Sequence, residues 1–311
     1  MRKRFYDETL SEIVSWVIEA LASSQTIRLE VLNPDLGRGL YSGEAVEWGD
    51  TRYLYRGIKA WSDLGELLQC RMLLPQPLSD HTVEITYEKL DPSDSFHRSP
   101  SAEEKYGVDS PFARIHKNEE PAFLHPYRSA LNNVRVGQRR RILDLGINTG
   151  DEFDLIRKLL PSDEYSSLSL VGIDHSKSAI DEARRRFPEE NVTFYAHDIN
   201  DLASLNPGQF DLIITIGTLQ STTLDFKPLF ASLVQNYLAP DGAMIIGFPN
   251  CRWMDGEMIY GAKPPNYPYA EMSILIKDVY YCKKYLQQKK FRVTVTGKDY
   301  LFLTATKISS R

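Results

Sequence analysis

The sequence predicts an α/β protein whose larger part is built on a mostly parallel sheet. Between residues 141 and 248, five aliphatic runs of five to seven residues alternate with stretches of helical character. Such runs indicate strands that are buried on both faces, and the helices between them supply the crossovers that parallel strands require. The chain then continues as FRVTVT, GKD and YLFLTATKI. This pattern predicts a terminal hairpin, and therefore an antiparallel last strand.

The N-terminal part predicts a smaller α+β domain, which we place at residues 1–92. Apolar residues at helical spacing predict helices over 5–23 and 61–70. Alternation of apolar and polar residues predicts strands at 26–32, 40–48, 52–58 and 81–90. No recognisable chemical motif lies in this part, so the sequence predicts no activity for it.

A change of composition separates the two parts. Residues 91–110 are rich in Ser, Pro and charge, as linkers are, and residues 110–132 have helical character in two pieces around Pro121. We therefore assign 93–130 to a linker with cap helices and 131–311 to the sheet domain. Its predicted strands are 141–145, 168–174, 192–196, 210–216 and 242–248, and its predicted helices are 151–160, 176–187, 226–238 and 274–289.

Composition excludes several classes of protein. The chain has 311 residues, of which 42% are hydrophobic and 25% charged, as in ordinary globular proteins. With a formal net charge of −5, the chain as a whole lacks the excess of positive charge that is typical of nucleic-acid-binding proteins. Three widely spaced cysteines favour a reducing compartment, and we identify neither a signal peptide nor an apolar run long enough to span a membrane. We expect a cytoplasmic protein that does not enter the membrane.

The strongest candidate for a ligand site is the loop after the first sheet strand, which runs from Asp144 to Gly150 as DLGINTG. Open α/β sheets bind ligands at the carboxyl ends of their strands. Two glycines allow a sharp turn and close approach of a ligand, and the following helix N-terminus favours an anion. The loop lacks the glycine spacing of a dinucleotide site and the Gly-Lys-Ser/Thr of a phosphate loop. The acid of Asp144 would repel a pyrophosphate and suits a positively charged ligand.

The strand, the D-L-G-x-x-x-G loop, the helix and a second strand that ends in an acid resemble the class I S-adenosylmethionine-dependent methyltransferases. The resemblance covers roughly residues 130–308 and implies a Rossmann-like sheet of seven strands with S-adenosylmethionine as the cofactor. It implies that Asp174 binds both ribose hydroxyls and that Asp198 accepts from the adenine amino group. The cofactor set that it implies is Asp144, Gly146, Asn148, Gly150, Asp174, His175, Asp198, Ile199, Gly217 and Thr218.

The spacing of the acids supports this set. Asp174 follows Gly150 by 24 residues, and Asp198 follows Asp174 by 24. The alternative is that both aspartates only cap the helices that follow them. Ser176 offers another cap after Asp174, which weakens that alternative for the first aspartate.

Two segments are candidates for binding the acceptor. Residues 249–270 form a long connection without regular periodicity but with many aromatic residues, so we interpret it as pocket wall or lid, or as packing against the N-terminal domain. Residues 105–114 are either a lid, with Phe112 among its aromatic residues, or a plain linker. The predicted substrate set is Tyr106, Arg114, Asn250, Arg252, Asp255, Glu257 and Tyr260.

Several other side chains are given ordinary roles. Cys251 is interpreted as an inert thiol rather than the nucleophile of an RNA pyrimidine methyltransferase. We predict no metal site, because Asp255 and Glu257 have no third ligand and the histidines lack partners at ligand spacing. The arginines at 139–141 are interpreted as a solvated face.

These patterns lead to one main hypothesis and two alternatives. The main hypothesis is an S-adenosylmethionine-dependent methyltransferase that acts on a small molecule or a peptide side chain. One alternative is a non-catalytic binding or scaffold protein on the same fold, because fold does not fix function. The other is a tRNA-modifying methyltransferase that uses local basic patches.

Overall fold

The computed structural model describes residues 1–91, 106–221, 223–254, 257–260 and 273–308, with only the backbone path for 251–254 and 257–260. The chain divides into two compact units. The first comprises Met1–Ser95 with Trp253–Tyr260, and the second comprises Phe96–Arg252 with Gly261–Arg311. Among the described residues, no helix combines the length and apolar character needed to cross a membrane.

The first unit is a small α+β structure. Its elements are β1 (Arg2–Arg4), α1 (Leu10–Ser23), β2 (Thr26–Leu32), β3 (Ala45–Trp48), β4 (Thr51–Leu54), α2 (Ile58–Leu67), β5 (Cys70–Met72), β6 (Gln76–Pro77) and β7 (Thr82–Lys89). Thr9 and Glu12 form a capping box that fixes the start of α1. Strand β2 lies between β1 and β7, and its residues Ile27 and Leu29 are fully buried in the core of this unit.

The second unit contains the predicted sheet. Its elements are α3 (Pro121–Asn133), β8 (Arg141–Leu145), α4 (Asp151–Leu159), α5 (Ser162–Ser166), β9 (Ser169–Asp174), α6 (Lys177–Arg186), β10 (Val192–Ala196), β11 (Phe210–Ile216), α7 (Phe226–Ser232), β12 (Leu238–Pro249), α8 (Ser273–Gln288), β15 (Phe291–Gly297) and β16 (Tyr300–Lys307). Between β12 and α8 lie two short strands that pair with each other, β13 (Cys251–Met254) and β14 (Glu257–Tyr260).

The sheet has seven strands in the order β10-β9-β8-β11-β12-β16-β15. All pairs from β10 to β12 are parallel, and β16 is antiparallel to both of its neighbours. This confirms the predicted fold class, including the antiparallel terminal hairpin. Because the strand order reverses between β8 and β11, the carboxyl ends of these two strands mark the expected ligand crevice.

Successive residues of the sheet strands serve two different cores, as the alternation of side chains in a strand requires. Ile142 and Leu212 belong to a core on one face, whereas Leu143 and Ile213 belong to the core on the other face. Asp144 shares its face with Ile142, so a carboxylate points to the side where α3 and α4 pack. It is only 1% exposed.

Some predicted boundaries were wrong. The strand expected over 40–48 begins only at Ala45, because hydrogen bonds from Leu40 to Gly37 and from Glu44 to Tyr41 turn the chain before it. The helix expected over 61–70 begins at Ile58 and ends at Leu67. The connection after β12, which has no regular sequence periodicity, contains the strands β13 and β14.

Candidate functional site

The loop after β8 is shaped by two glycines in the left-handed region. Gly146 has φ +77° and Gly150 has φ +95°, conformations that side chains rarely adopt. A Cβ on Gly146 would also overlap the Thr218 hydroxyl, and one on Gly150 would lie 2.5 Å from the Phe187 ring. The amide of Gly146 donates to the carbonyl of Ile173 (2.8 Å), which brings the loop to the end of β9. The loop therefore forms a tight backbone cradle.

Asp174, at the end of β9, is fixed by backbone donors. Its Oδ2 accepts from the amide of Asn148 (3.0 Å) and its Oδ1 from the amide of Ser176 (2.9 Å). Ser176, not Asp174, caps α6 by accepting from Ala179 (3.3 Å). A carboxylate has about four acceptor sites, so these two bonds do not use its whole acceptor capacity. The carboxylate is 5% exposed and held rigidly beside the glycine loop.

Asp198 differs from Asp174 in both exposure and partner. It is exposed, and its Oδ1 accepts from the amide of Asn200 (2.9 Å) to cap the 3₁₀ helix Ile199–Leu205. The capping interpretation therefore describes Asp198 in this structure. Strands β9 and β10 end side by side, with Ala196 opposite Asp174, so Asp198 and the buried side chain of Ile199 follow the neighbouring strand end.

Gly217 and Thr218 follow β11, and Thr218 contacts the same loop. The Thr218 hydroxyl donates to the carbonyl of Leu145 (3.0 Å), and the Gly217 amide donates to the carbonyl of Gly247 (2.9 Å). These bonds connect the ends of β8, β11 and β12. The predicted glycines and Thr218 therefore lie along one edge of the sheet, at the carboxyl ends of its parallel strands.

The segment before α3 reaches the glycine loop. The Asn148 side-chain amide donates to the carbonyl of Tyr106 (2.7 Å). The Tyr106 ring stands edge-on to Phe112 and to His175, with centroids 5.0 and 6.2 Å away. His175 lies 3.4 Å from Asp174 through Nδ1. Arg114 is exposed to solvent.

A pair of buried acids that was not predicted from the sequence lies behind the loop. Asp144 and Glu152 are 1% and 5% exposed, and Oδ2 of Asp144 has no hydrogen-bond partner among the described residues. Burial, and next the neighbouring Glu152, raise the pKa of Asp144 well above its usual range. Burial likewise raises the pKa of Glu152 to about 7. Loss of hydration disfavours the charged form of both carboxyls.

A half-buried lysine, Lys117, completes this cluster. Burial alone would lower the pKa of its ammonium, but the Tyr300 hydroxyl and the carboxylates of Glu152, Asp151 and Asp144 more than offset that effect and raise it. Lys117 and Tyr300 were absent from the predicted set. A sequence signal existed only for Tyr300, the first residue of a strand that starts at the edge where the parallel strands end.

The predicted substrate residues after β12 are only partly described. Asn250 donates through its backbone amide to the carbonyl of Asp299 (2.7 Å) and through its side chain to the carbonyl of Lys298 (3.1 Å). Asp255 lies outside the described residues, and for Cys251, Arg252, Glu257 and Tyr260 only the backbone is described. The substrate set as a whole stays a prediction.

The other interpretations concern histidines and metal ligands. His197 bonds through Nε2 to the carbonyl of Asp201 (2.9 Å) and to the Ser204 hydroxyl (3.1 Å). Within the described ranges, no group of three or more His, Cys, Asp or Glu side chains is arranged to hold a metal ion.

Comparison with known proteins identifies the sheet domain. The sequence model of a family described as "Methyltransferase domain" matches residues 138–292. The trans-aconitate 2-methyltransferase of Yersinia pestis is 29% identical over 136 residues, which are 44% of this chain and 48% of that protein. The enzyme of the same name from Delftia acidovorans is 29% identical over 131 residues, which are 41% of this chain and 44% of that protein. The chain thus spans about half the length of the curated relatives it matches.

Solved structures to which the chain is similar include the N-methyltransferase NodS from Bradyrhizobium japonicum in complex with S-adenosyl-L-homocysteine. It covers 62% of this chain and 90% of its own chain, with a TM-score of 0.42 and 16% identity. The plantazolicin methyltransferase BpumL in complex with S-adenosylhomocysteine covers 66% of this chain and 93% of its own chain, with a TM-score of 0.43 and 15% identity. The chain carries a class I S-adenosylmethionine-dependent methyltransferase domain.

Proposed function

We propose that this chain transfers a methyl group from S-adenosylmethionine to a small-molecule or peptide acceptor. The observation that supports this most is the junction of the glycine loop with Asp174, because the loop amide of Asn148 holds that carboxylate at 3.0 Å. A rigid, buried acid beside a backbone cradle suits a nucleoside that carries two neighbouring hydroxyls and an amino-acid tail.

The residues present fit the cofactor in type and position. Asp174 would accept from both ribose hydroxyls, and the glycine loop would lie against the amino-acid part. Asp198 and Ile199 would bind the adenine ring. The cofactor, when bound, supplies an electrophilic methyl group, and the chain mainly supplies alignment and exclusion of water.

The acceptor is proposed by class only. The aromatic connection after β12 and the net charge of −5 favour a small molecule or a peptide side chain over bulk nucleic acid. The name shared by the curated relatives, trans-aconitate 2-methyltransferase, supports a small-molecule acceptor. We propose Tyr106, Arg114, Asn250, Arg252, Asp255, Glu257 and Tyr260 as the residues to test for acceptor binding.

Binding of the cofactor tests the proposal directly. The melting temperature is measured with S-adenosylmethionine and with S-adenosylhomocysteine, and ligand at 100 times its dissociation constant should stabilise the protein by about 2.7 kcal/mol. The absence of any shift at millimolar ligand would favour a non-catalytic scaffold. Asp181→Ala, an exposed acid on α6 that pairs with Arg184, is the control that should leave the shift unchanged.

A further inference from the structure

Three aromatic rings surround the ammonium group of Lys117. Its Nζ lies 5.6 Å from the centroid of Phe112, 6.0 Å from that of Phe123 and 5.8 Å from that of Tyr300. We call these three rings the aromatic cage. Rings that converge in this way attract cations through their negative faces and are used in proteins to bind onium groups.

Buried acids add to the attraction for a cation. Asp144 is 1% exposed with Oδ2 unpartnered by any described residue, and Glu152 is 5% exposed. Both carboxyls, together with Asp151, act electrostatically on Lys117. Since charge interactions strengthen as water is excluded, the carboxyls of this cluster favour a positive neighbour to the extent that they are ionised.

The aromatic cage borders the proposed cofactor site. Glu152 lies in the first turn of α4, directly after the glycine loop, and Asp144 directly precedes that loop. Tyr300 of the aromatic cage also lies near Gly217 of the proposed cofactor set. Its hydroxyl is 3.6 Å from the position that a Cβ on Gly217 would take. The side chain of Asn118 donates to the carbonyl of Asp151 (2.8 Å), which fixes the backbone next to Lys117 against α4.

We propose that the aromatic cage is a cation subsite for which the ammonium of Lys117 and the sulfonium of the methyl donor compete. The inference rests on the proposed function. The lysine is then an internal competitor, and its ammonium leaves the rings when the donor binds. The product, S-adenosylhomocysteine, has a neutral sulfur and gains less from the rings, so return of Lys117 would favour its release.

Calorimetric titration of Lys117→Met tests the competition. Methionine keeps an unbranched apolar chain and removes the charge, so S-adenosylmethionine should bind about tenfold more tightly than to the unmodified protein, the magnitude of one cation–ring interaction. Weaker binding would mean that Lys117 contacts an anionic group of the ligand, and unchanged binding would mean that Lys117 is not displaced. Either result overturns the proposal.

Phe112→Leu tests the rings themselves. Because only the methyl donor carries the sulfonium, this variant should lose several-fold more affinity for S-adenosylmethionine than for S-adenosylhomocysteine. Equal losses would show that the rings do not hold the sulfonium. Melting temperatures of both variants establish that each folds, and this second variant keeps the proposal testable if Lys117→Met does not fold.

Chemical labelling gives a readout that does not depend on affinity or turnover. An amine-acylating reagent should modify Lys117 faster in the presence of S-adenosylmethionine, because the expelled ammonium meets solvent. Slower or unchanged labelling would contradict the displacement. If the unmodified protein binds neither S-adenosylmethionine nor S-adenosylhomocysteine, the proposed function itself fails; if it binds both but Lys117→Met binds no more tightly, only this inference fails.

Discussion

The charged residues at the two ends of strand β8 differ in their hydrogen bonds and in their burial. At the amino end, the amides of Arg140 and Arg141 donate to the carboxylate of Asp211 (2.6 and 2.9 Å). The guanidinium of Arg141 donates to the carbonyl of Gln209 (3.0 Å), and that of Arg139 to the carbonyl of Val134 (2.8 Å). At the carboxyl end, the Asp144 carboxyl is buried, and its Oδ2 has no hydrogen-bond partner in the part of the chain that the structure describes.

This difference distinguishes the amino end from the end that we propose as the ligand site. Charged side chains near solvent that hydrogen-bond to backbone groups join neighbouring chain segments and keep their partners. A buried acid without a full set of partners costs stability, and such groups cluster where a ligand later supplies the missing interaction. The arginines at 139–141 were predicted to form a solvated face; Arg140 is exposed, and the guanidinium groups of the half-buried Arg139 and Arg141 donate to backbone carbonyls.

The largest expected effect concerns the acids at the carboxyl end. The pKa of Glu152 is raised from 4.5 to about 7, so the folded protein binds this proton more tightly than the unfolded chain does. The free energy of unfolding should therefore fall as pH rises from about 4.5 to 7, by roughly 3 kcal/mol at most. Glu152→Gln should flatten this dependence in urea titrations, and an unchanged slope would show that Glu152 is not the titrating group.

The next effect tests whether the carboxyl end binds the ligand. Asp174→Ala should weaken cofactor binding by about 1–3 kcal/mol, because two hydroxyls would lose a charged acceptor. Asp211→Ala, at the amino end, should lower stability but leave the calorimetric dissociation constant unchanged. If both variants lost affinity equally, the contrast between the two ends would not hold.

A smaller effect distinguishes the two strand-end aspartates. Asp198 is exposed and already engaged as a helix cap, so Asp198→Ala should lower cofactor affinity by less than about 1 kcal/mol. Loss of the cap should also cost about 1 kcal/mol of stability. Calorimetry and chemical unfolding measure the two quantities, and a loss as large as that of Asp174→Ala would mean that exposure is a poor guide to their roles.

The smallest effect is expected at the amino end. Arg140 is exposed, and its backbone rather than its side chain bonds to Asp211. Arg140→Ala should change the unfolding free energy by less than about 0.5 kcal/mol and should not alter cofactor affinity. In a filter-binding assay, the unmodified protein should show no salt-dependent affinity for tRNA that this variant could lose. Measurable tRNA binding that Arg140→Ala weakens would revive the tRNA alternative.

The sequence by itself determined the order of strands and helices in the sheet domain, the glycine loop and the acids that end successive strands. These features depend on local properties: hydrophobic period, backbone freedom and turn chemistry act over a few residues. Element limits were less predictable: turns before Ala45 delay the start of that strand, and the helix begins at Ile58 rather than at residue 61.

Only the tertiary structure decided how the acids differ. Asp174 and Asp198 look alike in sequence, but one is held by loop amides and buried while the other is an exposed cap. Residues 117, 144, 152 and 300 meet although they are distant in the chain, and burial sets the protonation of the acids among them. Solvent exclusion is produced by the whole fold, so no local pattern contains it.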